Sequence, residues 1–193
     1  MGIITIQRFI YSIIIMSTIQ VDQKKVKPKP PTIDELIGNS KSVILATLDS
    51  EGNPVASYAP FVHLNGTFQI IVSFMAKHTR NLRDRKKVSV MFIEDESTVK
   101  QIYARDRLTL DCEPVLVEQG SEFWNQAVDE LKTRHGKVVE VLTGMNDFIM
   151  FDLQPKKGSY VNGFGSAYSI NADLSINEYV RGAHGQHEAA EAK

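Results

Sequence analysis

The sequence predicts a mainly β protein with inserted helices, an α+β chain whose strands form a six-stranded antiparallel split β-barrel. Three observations carry this reading. Short apolar, β-branched runs recur between Ser42 and Val161, separated by compact turn signals. Asn65-Gly66 lies between two of them and is the strongest two-residue hairpin signal in the chain. A short basic stretch, Lys77–Arg85, with only Leu82 to bury, and an amphipathic one, Gly120–Gly136, interrupt the strand pattern as helices. Consecutive strands joined by tight turns make a meander, and closing it removes exposed edges.

Residues 1–31 read as an extension and linker. Ile3–Ile15 is strongly apolar but carries Arg8 in its middle and is too short to span a bilayer. Its charge does not precede the apolar run, as a secretory signal requires. Translation is expected to begin at Met16, with a weak membrane anchor as the rival reading. Lys24–Pro31 is a basic segment with three prolines, hence extended. Thr32 with Glu35 makes a capping box for a short helix through Ile37.

The barrel domain is expected over residues 32–170. Its strands are Ser42–Leu48, Val55–Val62, Thr67–Phe74, Lys87–Ile93 and Leu108–Val117, the last interrupted at Pro114 as an edge or bulge. Phe148–Leu153 and Ser159–Val161 read as a closing hairpin around Pro155-Lys-Lys-Gly158. Phe123, Trp124, Ala127, Val128 and Leu131 share one face of the second helix, and Gly136 suits its C-terminal cap. Residues 171–193 form a polar tail.

A chain of 193 residues can bury a sizeable core, and its net charge of -1 advertises no polyanionic partner, so nucleic acid is not expected. The single cysteine, Cys112, excludes an internal disulfide and a Cys-based zinc site and fits a reducing cytoplasm. No Walker loop, dinucleotide fingerprint, zinc-protease spacing or serine elbow is present; Gly163-Phe-Gly165 reads as a bend.

The run Leu45-Ala-Thr-Leu-Asp-Ser-Glu-Gly-Asn-Pro54, followed by Ser57-Tyr-Ala-Pro-Phe61, resembles the opening hairpin of the pyridoxamine 5'-phosphate oxidase-like FMN-binding split barrels. A more specific resemblance is to the haem-utilisation (HugZ/HutZ-type) haem-degrading proteins of that superfamily. It rests on His78-Thr-Arg-Asn-Leu82, Ile93-Glu-Asp-Glu96, Ala104-Arg-Asp-Arg-Leu-Thr109, Asp147-Phe-Ile-Met-Phe151 and Gly163-Phe-Gly-Ser-Ala-Tyr168, in that order. The resemblance implies a homodimer that binds haem at the subunit interface and breaks it down.

It also implies roles. His184, in Tyr179-Val-Arg-Gly-Ala-His184, matches the family's C-terminal iron ligand, although Ala183 stands where glycine is usual, and His187 competes with it. A solvated tail histidine is the plain alternative. Asp147 matches the carboxylate that accepts the ligand's second N–H, supplied across the dimer; otherwise it is a surface aspartate opening a strand. Arg107 resembles the arginine on the open face of the iron, the alternative being a salt bridge to Asp106 or Asp111. Arg105, two residues earlier on the same segment, is the rival for this role, and only one of the two is expected to serve. His78 and Arg80 match the helix that lies near the interface or holds a flavin phosphate in relatives, and as plain residues they are exposed helix positions. Lys77, Arg80 and Lys100 are candidates for haem carboxylates. His63 and His135 read as structural or solvated, and Trp124 as core.

The function implied is a haem-degrading oxygenase that opens the porphyrin with O2 and a reductant to release iron, haem being cofactor and substrate at once. An FMN-dependent oxidoreductase and a non-catalytic haem storage or carrier protein are the alternatives. A homodimer, an electron donor (a small reductant or a reductase), a cytoplasmic location and no stable membrane association complete the expectation.

Overall fold

One long strand closes the barrel. The computed structural model describes residues 32–163 and 166–181. Within them β1 (Ser42–Leu48), β2 (Pro54–Leu64), β3 (Thr67–Ser73), β4 (Val88–Ile93), β5 (Arg107–Val117), β6 (Phe148–Asn162), β7 (Ser166–Asn171) and β8 (Ile176–Arg181) form one antiparallel sheet. The order is β3-β2-β1-β4-β5-β6-β7-β8, and β3 also pairs with β6. That extra pairing joins β3, β2, β1, β4, β5 and β6 into the expected six-stranded ring, with β7 and β8 appended as a hairpin.

The strand β6 replaces the expected closing hairpin. Pro155-Lys-Lys-Gly158 does not turn back, and all fifteen residues continue in one direction. The first part, Phe148–Leu153, pairs with β3, the last part, Lys157–Asn162, pairs with β7, and β5 flanks nearly the whole length. Asp111 faces Lys157 while Cys112 faces Pro155, so Lys156 is an extra residue in β6. A bulge tolerates the missing N–H of Pro155 and bends the strand instead of ending it. At Pro114 β5 is continuous, but β4 accompanies it only to Cys112, so the edge expected there is found without the interruption.

The split lies between β2 and β3. Their ladder covers only Phe61–Leu64 against Thr67–Ile70 and stops beside Pro60, which has no N–H to donate. Beyond that point β2 follows β1 and β3 follows β6. The hairpin at the other end has Asn65 at φ 53° and Gly66 at φ 80°, the left-handed pair that such a turn needs.

Inside the ring, Phe61, Phe68 and Phe92 pack edge-on and tilted with centroids 4.9–5.9 Å apart, surrounded by Leu45, Ile70, Val90, Leu108, Leu110, Phe151 and Leu153. A second cluster lies outside the ring. There α3 (Glu122–His135) sets Trp124, Ala127, Val128 and Leu131 against Val62 and Met150, and Val139 of α4 (Val138–Thr143) joins them. Ser121 Oγ caps α3 by accepting the Trp124 N–H at 3.1 Å.

Two smaller helices cover the barrel ends. The helix α1 (Ile33–Asn39) runs two residues past its expected end, and its capping box does not form, because Thr32 Oγ1 lies 3.3 Å from the Tyr160 hydroxyl. Arg134 finishes α1 instead, donating to the carbonyls of Ile37, Gly38 and Ser40. The helix α2 (Lys77–Arg85) matches its expected span and buries only Thr79, Asn81 and Leu82. The tail expected from residue 171 contains β8, so the sheet extends to Arg181; residues 1–31 and 182–193, with Met16, lie outside the described residues. Among the described residues no helix is long and apolar enough to cross a membrane.

At Gly158 two strands approach closely. A Cβ there would lie 2.4 Å from the Thr109 carbonyl oxygen and 2.5 Å from Leu110 Cδ2. Gly158→Ala is expected to destabilise the fold by about 1–3 kcal/mol, read as a lower urea midpoint, because backbone rather than a side-chain tip must move.

Candidate functional site

The residues singled out by the sequence fall at two places on the barrel. At the first, the end of β3 meets the start of β6. Asp147 occupies the turn before β6, exposed, with Ser73 Oγ donating to its Oδ2 at 3.3 Å. The Phe74 N–H donates to the Asp147 carbonyl at 2.7 Å, which holds the turn against the outgoing end of β3. The chain then passes through exposed Phe74 and Met75 into α2, where Thr79 Oγ1 donates back to the Ser73 carbonyl at 2.6 Å. His78 is half-buried and Arg80 exposed on the first turns of that helix, close in sequence to this corner. Burial holds the His78 imidazole below the usual histidine range.

At the second place, Arg107 opens β5, exposed, paired with Ile93 of β4 and Val161 of β6. Neither of the salt bridges considered for it forms, and Arg107 makes no ion pair among the described residues. Arg105 is committed elsewhere: its Nε donates to the Glu94 carbonyl at 2.7 Å and its Nη1 to Glu96 Oε1 at 2.9 Å. Of the two arginines, Arg107 is the available one.

Between them Asp106 turns inward, a buried carboxylate that sequence reasoning treated only as a surface ion-pair partner. Tyr160 O–H donates to its Oδ2 at 3.2 Å and the Gly163 N–H to its Oδ1 at 3.1 Å. The Asp106 N–H donates to Glu94 Oε2 at 3.2 Å. The carboxylate therefore ties the start of β5, next to Arg107, to the turn that launches β7 and β8. Gly163, at φ 61°, supplies the bend expected of it. Nothing local in the sequence marks this contact, since Asp106 and Gly163 are brought together only by the β5–β6 register. Burial raises the Tyr160 phenol above its usual range, and its hydrogen bonds with Thr32 oppose this.

The first place and the second are far apart in one chain. Ser73 pairs with Phe148 and Arg107 with Val161, so the two lie at opposite ends of β6, separated by about 40 Å of strand. Between them the barrel exterior carries an apolar strip: Ile44 faces Tyr58 on one side and Met91 on the other, with Tyr58 68% exposed. A groove of about 1030 Å³ runs beside it, lined by Ser42, Ile44, Met91, Ile93, Glu94 and Arg105 among others.

The remaining histidines have structural settings, as expected: His135 Nε2 lies 3.0 Å from the Phe61 carbonyl and His63 stacks on Phe68 at 4.7 Å. Among the described residues no cluster of three or more His, Cys, Asp or Glu side chains is placed to hold a metal ion. His184 and His187 lie outside the described residues. Cys112 is buried, and burial pushes its thiol up to about 12, so it stays protonated and unreactive.

A split barrel with an exposed apolar strip matches known proteins closely enough to define its family. Residues 30–162 match the pyridoxamine 5'-phosphate oxidase family, and the chain belongs to that family. It is 41% identical over 155 residues, 80% of this chain and 88% of the relative, to the protein named heme oxygenase HutZ of Vibrio cholerae. A crystal structure described as HutZ, the haem storage protein from Vibrio cholerae, superposes with a TM-score of 0.66, covering 72% of this chain and 98% of that one at 41% identity. The crystal structure of Campylobacter jejuni ChuZ gives 0.71 at 32% identity, covering 79% of this chain and 63% of that one.

The half-buried setting of His78 has a measurable consequence. A folded-state pKa below the unfolded value favours the neutral ring, so its contribution is present above about pH 6.5 and is lost as pH falls below it. His78→Gln is expected to flatten the decline in Tm between about pH 7 and about pH 5 relative to the parent chain.

Proposed function

We propose that this protein binds haem between two copies of itself and degrades it, opening the porphyrin ring with O2 and a reductant and releasing iron. The observation that carries the reading is the placement of Arg107 and Asp147 at opposite ends of β6, both exposed, in a chain so similar to a heme oxygenase. In this reading the two side chains, at the two ends of β6, reach one ligand from two different copies. Two copies would pack through the strip of Ile44, Tyr58 and Met91, with the β3–β6 corner of one beside the β5 start of its partner across a two-fold axis.

The residues at that corner suit haem. Exposed Phe74 and Met75 offer an apolar wall, and Lys77 and Arg80 offer cations for carboxylates at the porphyrin edge. His184 would hold the iron through a neutral imidazole nitrogen, with His187 as the rival, and Asp147 would accept its other N–H, fixing the tautomer and strengthening the ligand. Arg107 would place guanidinium donors on the opposite face, where oxygen enters. Bound haem, given O2 and electrons, supplies the oxidising chemistry; the protein supplies ligation, orientation and access. A homodimer, an external electron donor and a cytoplasmic setting belong to this proposal.

Two alternatives have an observation each. The family's description favours FMN as the bound group and an oxidoreductase activity. The description of one relative as a storage protein favours haem held without turnover.

Titration with haemin followed by ascorbate in air separates the three. A saturable Soret band that bleaches to a biliverdin-like product is expected. His184→Ala should abolish the ligated spectrum, and Asp147→Asn should lower affinity or turnover about 10–100-fold. A band that persists under ascorbate supports storage, and a yellow flavin spectrum without haem binding supports the flavoenzyme. Removal of residues 182–193, leaving β8 in place, should abolish haem ligation while sparing any flavin.

A further inference from the structure

The segment Lys77–Lys87 carries six cations and one carboxylate, in a chain whose net charge is -1. The fold does not require this concentration. The helix α2 buries only Thr79, Asn81 and Leu82, and like charges crowded on a helix oppose its formation. Some of the cations have internal duties: Arg85 donates to the carbonyls of Asp49 and Ser50, and Arg83 pairs with Asp84 at 3.4 Å and lies over the Phe74 ring. Lys77 and Arg80 belong to the site already described. Lys86 and Lys87 are exposed and make no ion pair among the described residues. Lys86 adopts φ 51°, a left-handed position that usually goes to glycine or asparagine.

These two lysines border a pocket of about 790 Å³. Its lining includes Ala46, Leu48, Pro54 and Val88, together with Lys156 and Lys157 of β6 and the carboxylates Asp111 and Glu113 of β5. The Lys156 ammonium is 3.0 Å from Glu113, and that of Lys157 is 4.0 Å from Asp111. The surface is thus a small depression with an apolar lining, where Lys156 and Lys157 face carboxylates and Lys86 and Lys87 do not, at the C-terminal end of α2.

We propose that this lysine-rimmed depression, with Lys86 and Lys87 at its edge, is the docking face for an acidic electron-carrier protein. The chemistry favours a folded acidic protein, which can fill an apolar hollow while its carboxylates meet the rim. A membrane surface would require apolar residues on the exposed face of α2, and that face has none. The inference rests on the haem reading for its purpose: one electron leaves the reduced carrier, ferric haem iron becomes ferrous, and no bond is made or broken. The surface itself stands on charge and shape alone.

A bacterial flavodoxin, an acidic one-electron carrier, is the probe. Binding to the full chain, measured by calorimetry, should weaken roughly tenfold between about 50 and about 300 mM salt. The double variant Lys86→Glu, Lys87→Glu should lose at least as much affinity at low salt, while its Tm and its haemin Soret band stay unchanged. With reduced flavodoxin as donor, haem reduction by the variant should slow to the same degree, and with ascorbate it should not. Flavodoxin that fails to bind, or that binds the variant as tightly as the parent, would overturn the docking face. Binding that follows the charges with no haem reduction by either donor would uphold the face and count against the haem reading instead.

Discussion

Every feature of this molecule depends on β6 being one strand rather than two. Its first part must reach β3 to close the ring, and its last part must carry β7 and β8 away from it. A straight fifteen-residue strand could not serve both partners without leaving β5. The extra residue at Lys156 bends it, Pro155 sits where its missing N–H is tolerated, and Gly158 lets the β5 backbone come close. The same strand sets the spacing of the two candidate corners, so the construction that closes the barrel also separates Asp147 from Arg107 along it.

Much of this was legible in the sequence. The strand pattern, the Asn65-Gly66 hairpin and the span of α2 follow from local chemistry, because turn dipeptides and alternating apolar residues act over a few positions. The capping box at Thr32 and Glu35 was misleading, since a tertiary partner, Tyr160, took the hydroxyl that the local motif claimed. Pro155-Lys-Lys-Gly158 carried the composition of a turn but serves as a bulge, and the difference lies in the strands on either side, which the sequence does not reveal locally. The β8 strand was hidden because Asn177 and Glu178 break up its apolar residues and Ile176–Val180 are all exposed, so it lacks the alternation that marks a half-buried strand.

Of the candidate site, Arg107, Asp147, His78 and Arg80 were reached through a family resemblance, and the fold gives them settings that composition could not. Arg105 is consumed by Glu94 and Glu96, which leaves Arg107 available. Ser73, the hydrogen-bond donor to Asp147, and the Asp106–Tyr160–Gly163 link had no sequence signal, because each joins residues far apart in the chain. The link matters for the proposed site: it fastens the position next to Arg107 to the turn leading toward the segment that carries His184.

The central claim is that the site is shared, with Arg107 from one copy and Asp147 from the other. Mixing protomers tests it most directly. Arg107→Ala and Asp147→Asn chains, each impaired alone, would be unfolded and refolded together and assayed for ascorbate-driven haem loss. In a shared site, a mixed dimer holds one intact pair and one doubly altered pair, so about a quarter of all sites should regain parental activity. No recovery on mixing, with mixed dimers demonstrated by mass, would contradict the account and place both residues' contributions within a single copy.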